Sequence, residues 1–502
     1  DRINAAIRAR EPIAIYGDYD VDGVTATALL VQTLAAFGAE VRPYIPHRAD
    51  EGYGLNIEAL DLLKSEGVRL VITVDCGVRS LDEAAHAKAI GLDLIISDHH
   101  MPGDLLPQAV AVINPKQSAC PYPFKELAGV GLAFKIAQGL LTVNARRGEH
   151  PTGLTEDDLI DLVALGTVAD LAPLLGENRS LVARGLPRLQ ASARPGLKAL
   201  IALSRTAVID TTAIGFALGP RLNAAGRLDH ALNAYHLLMT TSAGEAERLA
   251  LDLDLRNRER QALTKDLFEL ARAQVIDRAK DAPILIAAAP EFKAGVVGLV
   301  ASRLTEEFYR PAIVIEQGPV ESRGSCRSIP EFHITRALDQ CAELFVRHGG
   351  HAAAAGFTIA TARLDELTRR LLDIAGRELN VAELQPTLAI DAELPLHALK
   401  PELFDALQRL EPHGYANPQP IFAARRVNVV EVRPVGGDGS HLKMRVSDDG
   451  CPPIDAIAFR HGAWAGSLHL GDKIDLAYTF EKNEWQGRTA FQLNVKDIKL
   501  AG

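Results

Sequence analysis

Over the first 115 residues, short apolar runs alternate with longer amphipathic segments. Short apolar runs such as PIAIYGD (12–18), VRLVITVD (68–75) and LDLIISD (92–98) lack a period-two pattern, which is typical of strands buried on both faces. Between them lie amphipathic segments of roughly 10–15 residues, such as VTATALLVQTLAAFG (24–38), which end at glycines and predict helices. Strands that alternate with helices predict a parallel sheet covered on both faces.

The pattern changes twice further along the chain. Residues 125–270 are mostly helical in pattern, and the segment 242–280 has no Gly or Pro after Gly244, so it predicts a long connecting helix. A second α/β unit begins at APILIAAAP (282–290). Near the C-terminal end, short strands separated by Gly-rich turns predict a small barrel or sandwich.

These patterns predict an α/β protein with a C-terminal all-β domain, divided into four segments. The segments are a parallel-sheet domain at 1–175, a helical segment with the long connecting helix at 176–280, a second α/β domain at 281–385, and a barrel domain at 386–502.

Composition is that of a soluble globular protein, with 47% apolar and 24% charged residues. No apolar run approaches the roughly 18–20 residues of a membrane span, and the first residues, DRINAAIRAR, are not typical of a signal peptide. Five cysteines without a CxxC pair fit neither a zinc site nor a disulfide framework. We therefore expect a protein of the reducing cytoplasm, without a membrane partner.

The net charge of −10 argues mildly against non-specific coating of nucleic acid. It is compatible with a basic groove on an acidic protein, because bound cations neutralise part of the acidic charge.

Carboxylates follow the ends of the predicted strands. Asp18, Asp20 and Asp22 come directly after the first strand, and on an extended backbone positions i, i+2 and i+4 point to one side. The three groups would then converge and repel one another unless a cation lies between them. The alternative is an Asp-rich turn that caps the next helix, since Asp22-Gly23 precedes one.

Further candidate ligands follow other apolar segments. Asp75 ends a second strand, Asp98, His99 and His100 end a third, and Asp170 follows an apolar helical stretch. Ligands of open parallel sheets bind at the carboxyl ends of the strands, so we expect these groups in one crevice. Oxygen ligands with one or two imidazoles suit Mn²⁺ or Mg²⁺. So many carboxylates indicate two ions about 3.5–4 Å apart, an arrangement used to hydrolyse phosphate esters.

The motifs DYDVDG, VDCG, SDHH and VADLAPL, in this order, closely resemble those of the DHH phosphoesterase family. Nearly the whole chain is similar to the family's branch of bacterial exonucleases that digest single-stranded DNA from the 5′ end. By motif, the resemblance implies that His100 lies near the scissile phosphate and that Asp98 orients a histidine. It implies that Asp75 bridges the two ions, and that the metal ligands are Asp18, Asp20, Asp22, Asp75, His99 and Asp170.

The second α/β unit resembles the DHH-associated domain through KAGVVGLVASRL, SCRSIPEFHI and GGHAAAAGF. The resemblance implies that Gly349, Gly350 and His351 bring backbone N–H groups close to substrate phosphates. The alternative is that GGH is a simple turn and that the small residues form a helix packing face.

The resemblance also implies an anchor for the terminal 5′-phosphate at Ser325 and Arg327, together with Arg48 of PHRADEGYG. Arginine suits this role because its planar guanidinium grips phosphate oxygens in a bidentate manner.

The segment GPRLNAAGRL (219–228) is another signature of the same branch. It implies that Arg221 and Arg227 contact the DNA backbone and that Asn223 donates or accepts a hydrogen bond there. The alternative is helix capping by Asn223 and salt bridges for the two arginines.

The last segment resembles an oligonucleotide-binding (OB) barrel, in which aromatic side chains stack on unpaired bases. Four aromatic residues are candidates, of which several must lie in the core: Tyr478, Phe480, Trp485 and Phe491. The linking motif EPHGYANPQPIF departs from the Gly-rich form of the family at Ala416.

Nucleotide cofactors are not expected. GVGLAFK (129–135) begins like a dinucleotide-binding fingerprint, but Phe134 occupies the third glycine position, and the chain contains no GKS or GKT phosphate loop.

Together these features predict a monomeric 5′→3′ exonuclease that uses two Mn²⁺ or Mg²⁺ ions and releases mononucleotides from single-stranded DNA in recombination and repair. The resemblance implies a helicase and a single-strand-binding protein as partners. Two alternatives are a related phosphodiesterase of short oligoribonucleotides or cyclic dinucleotides, and a catalytically inactive replication scaffold.

Overall fold

The computed structural model describes residues 1–47, 51, 54–228, 230–277, 280–448, 452–485 and 488–501, without the side chains of 228, 484–485 and 488–489. Arg48 lies outside the described residues. The chain forms two compact units: residues 1–172 with 176–386, and residues 173–175 with 387–502.

The first unit begins with a five-stranded sheet in the order β2-β1-β3-β4-β5. All neighbouring strands are parallel, as the alternation of strands and helices predicts. The strands are β1 (Ile13–Gly17), β2 (Val41–Tyr44), β3 (Leu70–Val74), β4 (Asp93–Ser97) and β5 (Ala111–Ile113). Every residue of β1 and β3 is buried, which explains why their sequences are apolar without alternation.

Helices cover both faces of this sheet. Ala14 and Tyr16 of β1 lie in one apolar cluster with residues of the two helices that follow β2 and β3. The helices of this part are α1 (Arg2–Ala9), α2 (Val21–Ala36), α3 (Ile57–Ser65), α4 (Leu81–Ala89), α5 (Gly129–Ala145) and α6 (Ile160–Ala169). The helices α2, α5 and α6 pack on one another.

A helical segment follows, as predicted. It consists of α7 (Gly176–Gln190), α8 (Pro195–Ser204), α9 (Thr211–Ala213), a π-helical turn (Ile214–Leu218), α10 (Gly219–Leu228), α11 (Leu232–Met239) and α12 (Ala243–Val275). The 33-residue helix α12 is the predicted connecting helix, and Ser242 caps it by accepting a hydrogen bond from the N–H of Glu245.

The second sheet of this unit has the order β6-β7-β8-β10-β9. The strands β6 and β7 are parallel, and the other neighbours are antiparallel. The elements are β6 (Leu285–Ala289), α13 (Ala294–Phe308), β7 (Ala312–Glu316), β8 (Glu321–Arg327), α14 (Ile334–Asp339), β9 (Phe345–Gly350), β10 (Ala354–Ala360) and α15 (Leu364–Glu378).

The second unit is a closed barrel. Its strands are β11 (Ala392–Glu393), β12 (Phe422–Val435), β13 (His441–Ser447), β14 (Ile454–Ala458), β15 (Lys473–Trp485) and β16 (Arg488–Leu500), with helix α16 (Pro401–Gln408). The order β12-β13-β14-β16-β15 closes because β15 also pairs with β12. A closed five-stranded barrel of this order is the OB architecture that the sequence predicts.

Short 3₁₀ turns complete the described structure at Glu156–Asp158, Ala342–Leu344, Thr361–Arg363, Val381–Glu383, Leu396–Ala398 and Gly462–Gly466. Among the described helices, none combines the length and the apolar character that a membrane crossing requires.

Candidate metal centre

The aspartates after β1 begin a helix instead of continuing the strand. Asp20 is the N-cap of α2, and its Oδ1 accepts hydrogen bonds from the N–H groups of Asp22 (2.9 Å) and Gly23 (3.1 Å). Asp22 therefore lies in the first helical turn. The predicted extended geometry for Asp18, Asp20 and Asp22 is wrong, because the cap turns the chain at Asp20. The loop therefore caps helix α2 and also contributes carboxylates to an acidic site.

Asp22 is held by the start of another helix. Its carboxylate accepts the N–H groups of Gly129 (2.6 Å) and Val130 (2.7 Å), the first two residues of α5. Burial, followed by repulsion from Asp20, nevertheless raises the pKa of Asp22 to about 7. A Cβ at Gly129 would lie 2.7 Å from the Cβ of Asp75, so only glycine fits here. The GVG segment, which resembles a nucleotide fingerprint, thus contacts an aspartate.

Asp75 follows β3 and is 1% exposed. Its φ of 62° is left-handed, a conformation in which aspartate is several-fold enriched among non-glycine residues. Burial is the main cause that raises its pKa well above the ordinary value, and repulsion from Asp22, Asp20 and Asp18 adds to it. A cation beside Asp75 would remove this penalty.

His99 lies among three of the carboxylates. Its Nε2 is 3.0 Å from Oδ1 of Asp75 and 3.9 Å from Oδ2 of Asp22, and its Nδ1 is 3.9 Å from Oδ2 of Asp170. Burial, and then the charge of His100, lowers the pKa of His99 to about 3. The imidazole is therefore neutral at physiological pH, which is the form that binds metal ions.

His100 is oriented by Asp98. Oδ1 of Asp98 accepts from Nδ1 (2.8 Å) and from the backbone N–H (3.0 Å) of His100, while Oδ2 accepts from the N–H of Val78 (2.9 Å). Burial is the largest single influence and opposes the charged forms of Asp98 and His100, but their hydrogen bond and the attraction between opposite charges together outweigh it, so the pKa of Asp98 is lowered and that of His100 is raised. Nδ1 of His100 lies 3.9 Å from Oδ1 of Asp75.

Asn114 supports the same segment and was missed in the sequence. Its Nδ2 donates to the carbonyl oxygen of His100 (2.7 Å), and its Oδ1 accepts from the N–H of Lys116 (2.7 Å). The Asn-Pro pair directly after β5 is the available signal, because it marks a turn at the carboxyl edge of the sheet.

Asp170 is the C-cap of α6. Burial, followed by repulsion from Asp22 and Asp20, raises its pKa to about 9. Asp170, which the sequence analysis predicts as a further ligand, therefore lies close to the other carboxylates.

The six predicted metal ligands meet in one place. Their ligand atoms form two groups, in each of which all atoms lie within 4.8 Å of one another, and a third such group with His100 shares Asp75 with one and His99 with the other. We call this the acidic cluster; the groups are Asp18-Asp20-Asp75, Asp22-His99-Asp170 and Asp75-His99-His100. Carboxylate oxygens with one or two imidazoles fit Mn²⁺ or Mg²⁺, and the raised pKa values indicate a site that requires positive charge.

The predicted phosphate anchor lies on the second sheet. Ser325 pairs with Gly356, which pairs with Gly349, so three neighbouring strands present these residues in one row. Arg327 donates from Nη1 to Ser325 Oγ (3.3 Å) and to the Cys326 carbonyl oxygen (2.8 Å).

Gly350 is the last residue of β9, and His351 begins the turn that leads to β10. The N–H of His351 donates to the Ala354 carbonyl oxygen (2.7 Å), which closes the turn between β9 and β10. Burial, and then the charge of His100, lowers the pKa of His351. The charges of His351 and His100 are therefore close enough to interact.

The three predicted residues of α10 already have protein partners. Arg221 donates from Nε to Oδ1 of Asp254 (2.9 Å), and Arg227 donates from Nη1 to the Gly295 carbonyl oxygen (3.1 Å). Oδ1 of Asn223 accepts from the N–H of Val21 (3.1 Å). Contact of these residues with DNA stays a prediction, and so does a role for Arg48.

The candidate aromatic residues of the barrel differ in how far they are buried. Tyr478 and Phe480 are buried in the core, and Phe491 packs partly buried against it. The side chain of Trp485 lies outside the described residues. Phe459, which was not among the candidates, is 53% exposed.

Comparison with known proteins identifies the family. Three family descriptions match the sequence: "DHH family, N-terminal domain" at 12–167, "DHHA1 domain" at 281–377 and "RecJ OB domain" at 390–497. A single-stranded-DNA-specific exonuclease RecJ of Salmonella typhimurium is 37% identical over 98% of this chain and 88% of that protein. The chain belongs to the RecJ family. RecJ of Bacillus subtilis is 40% identical over the whole chain, which spans 63% of that relative's length.

Solved structures of RecJ agree with this membership. The crystal structure of RecJ from Thermus thermophilus in complex with Mn²⁺ matches with a TM-score of 0.85 and 32% identity. The match covers all of this chain and 71% of the Thermus chain. The α/β fold with a C-terminal OB barrel is therefore a shared RecJ architecture.

Proposed function

We propose that this chain is a metal-dependent exonuclease that hydrolyses single-stranded DNA from the 5′ end and releases mononucleotides. The observation that carries the proposal is the acidic cluster, in which Asp75 belongs to two of the three groups of ligand atoms. The names of the RecJ relatives, single-stranded-DNA-specific exonucleases, support the substrate.

Two ions fit the cluster better than one. Asp18, Asp20 and Asp75 would hold the first, and Asp22, His99 and Asp170 would hold the second. Asp75 would bridge them, since its Oδ1 is 3.0 Å from Nε2 of His99. Two divalent cations held by these residues would supply an activated water and would stabilise negative charge on the phosphoryl oxygens.

His100 is the residue we assign to proton transfer. Its raised pKa keeps its proton to a higher pH than an ordinary histidine does, so it can donate to the leaving oxygen. Asp98 holds the ring in position through the 2.8 Å hydrogen bond to Nδ1. These roles give a general acid and the carboxylate that orients it.

The row of Ser325, Gly356 and Gly349 is the proposed anchor for the 5′-phosphate. Arg327 provides the charge, and the glycines allow backbone N–H groups to approach phosphate oxygens. An anchor at a fixed place beside the cluster would position the first phosphodiester bond for hydrolysis. Each cycle would then release one nucleotide, which accounts for the proposed mononucleotide products.

The OB barrel is proposed to bind further nucleotides, with Phe459 as a stacking residue. Since RecJ relatives act on single strands, a helicase and a single-strand-binding protein are the partners that would supply the substrate. We further propose that the protein acts in DNA recombination and repair, and that the segment limits predicted from the sequence describe its domains.

Digestion of end-labelled oligonucleotides tests the function. A 5′-phosphorylated single strand should be degraded with Mn²⁺ to labelled mononucleotide, while the matched duplex and a 5′-hydroxyl strand should react more slowly. Asp75→Asn is the control, because it keeps the shape of the side chain and removes the charge. Preference for duplex, or release from the 3′ end alone, would contradict the proposal.

A dinucleotide compared with a long strand separates the exonuclease from a small-substrate phosphodiesterase. The closed barrel favours the long strand, because a dinucleotide does not need an extended binding surface. Faster turnover of the dinucleotide would support the phosphodiesterase instead. Lack of any Mn²⁺-dependent cleavage would support an inactive scaffold, which the complete set of six ligands argues against.

A further inference from the structure

Helix α10 (Gly219–Leu228) lies directly against the loop of the first aspartates. Oδ1 of Asn223 accepts a 3.1 Å hydrogen bond from the N–H of Val21, a residue 202 positions away. Val21 stands between Asp20 and Asp22, which belong to different groups of ligand atoms. Asn223 therefore holds the peptide that separates the ligands of the two proposed ions.

A second contact fixes the distance between helix and loop. A Cβ at Gly226 would lie 2.6 Å from the carbonyl oxygen of Tyr19. Gly226 follows Asn223 by three positions, so both residues lie on the same face of the helix. The helix thus touches the aspartate loop at residues 19 and 21 without room for a side chain at Gly226.

The other contacts of α10 keep it in place. Arg221 donates to Asp254 of α12 (2.9 Å) and to the Ala217 carbonyl oxygen (2.8 Å). Arg227 donates to the Gly295 carbonyl oxygen (3.1 Å), and a Cβ at Gly295 would lie 2.6 Å from the Arg227 carbonyl oxygen. The helix is therefore fixed between α12 and the first turn of α13.

We propose that Asn223 is a positioning residue that holds the Asp20–Asp22 segment in the geometry required for cation binding. This inference rests on the proposed metal site of the same cluster. Loss of the acceptor at Asn223 frees the Val21 peptide to rotate, which moves Asp20 and Asp22 relative to each other. Cation affinity then falls even though no ligand has been changed. Partners that orient ligands typically contribute about 10–100-fold to metal affinity.

Calorimetric titration of the metal-free full chain with Mn²⁺, without DNA, tests this inference. Asn223→Ala should bind Mn²⁺ about 10–100-fold more weakly than the wild type. Asn223→Asp keeps the acceptor and should bind more tightly than the alanine variant. Asn233→Ala, in the following helix α11, is the matched control and should bind as the wild type does. Wild-type affinity of Asn223→Ala, or equal weakening in Asn223→Asp, would overturn the proposal.

Two further measurements separate positioning from a general structural role. Circular dichroism of the metal-free variants should show the wild-type fold, and saturating Mn²⁺ should restore the kcat of Asn223→Ala while the activating concentration rises. Failure of that kcat to recover would oppose the proposal.

Should Asn223→Ala not fold, Gly226→Ala must weaken Mn²⁺ binding, because its methyl group displaces the helix from Tyr19. Unchanged affinity in that variant would overturn the inference. The titrations contain no nucleic acid, so failure of the exonuclease assay would count against the proposed function alone.

Discussion

Asp22, Asp75 and Asp170 are buried close to one another, and each is harder to ionise than an ordinary aspartate. Desolvation is the main cause in each case, and repulsion among the carboxylates adds to it. A metal-free cluster therefore holds protons at neutral pH that a divalent cation would displace. Metal binding and proton release are linked at this site.

The first prediction concerns the stability of the metal-free protein. The unfolded chain loses the protons of these aspartates near pH 3.8, whereas the folded protein retains them to about pH 7 for Asp22 and about pH 9 for Asp170. The folded state therefore binds more protons in this window, and its free energy of unfolding should fall as pH rises. Urea unfolding in EDTA between pH 5 and about 9 measures this slope.

Two comparisons control this measurement. Saturating Mn²⁺ should remove most of the loss, because the ion replaces the protons. Asp170→Asn should make the slope shallower, since one of the three groups no longer titrates. If the free energy of unfolding of the metal-free protein rose with pH across this window, ionisation of the three aspartates would not destabilise the fold, and the prediction would be wrong.

At the scale of elements, two helices begin at the acidic cluster. Asp20 caps α2, and Asp22 accepts the first N–H groups of α5. Helix N-termini carry partial positive charge, so the start of α5 favours the ionised carboxylate of Asp22. The close approach of α5 depends on Gly129, which lies where a side chain would meet Asp75.

Gly129→Ala tests that approach. The added methyl group would lie 2.7 Å from the Cβ of Asp75 and 2.9 Å from Oδ2 of Asp22, so it must displace both ligands. We expect Mn²⁺ affinity to fall by about 10-fold or more, with a similar loss of nuclease activity at limiting metal. Calorimetry and end-labelled digestion measure the two effects.

Gly139→Ala in the same helix is the matched control. A Cβ there meets nothing within 4 Å, so the substitution should stabilise the helix by about 0.5–1 kcal/mol and leave Mn²⁺ binding unchanged. Equal metal affinity in the two alanine variants would contradict the role assigned to the start of α5.

The turn at Ala416 carries a second element-scale prediction. Ala416 is exposed and has a φ of 63°, which is the left-handed conformation that glycine adopts without cost. A left-handed alanine costs roughly 1–2 kcal/mol, and the larger entropy of unfolded glycine offsets about 0.4–1 kcal/mol of it. Ala416→Gly should therefore stabilise the protein by about 0.5–1 kcal/mol in urea unfolding. Destabilisation would contradict this account of the departure from the Gly-rich motif.

At the scale of the whole molecule, the sequence predicts the architecture well. Buried parallel strands such as β1 and β3 have a local signature, because every position is apolar. The connecting helix α12 and the barrel strands also follow from period and from turn residues. The strand ends predict the acidic cluster for the same reason, since parallel strands bring their carboxyl ends to one edge.

The remaining features depend on contacts between distant residues. The hydrogen bond from Gly129 to Asp22 joins residues 107 positions apart, and that from Val21 to Asn223 joins residues 202 apart. No local pattern encodes such pairs. The candidate aromatic residues of the barrel were ambiguous for a related reason: Tyr478, Phe480 and Phe491 all lie in predicted strands, and only closure of the barrel decides how far each is buried.

Anomalous diffraction from crystals grown with Mn²⁺ tests the central claim most directly. The acidic cluster predicts two manganese peaks about 3.5–4 Å apart, both within bonding distance of the carboxylate of Asp75. Asp75→Asn crystals should lose at least one of them. A single peak in the wild type, or two peaks that do not share Asp75, would contradict the two-ion site.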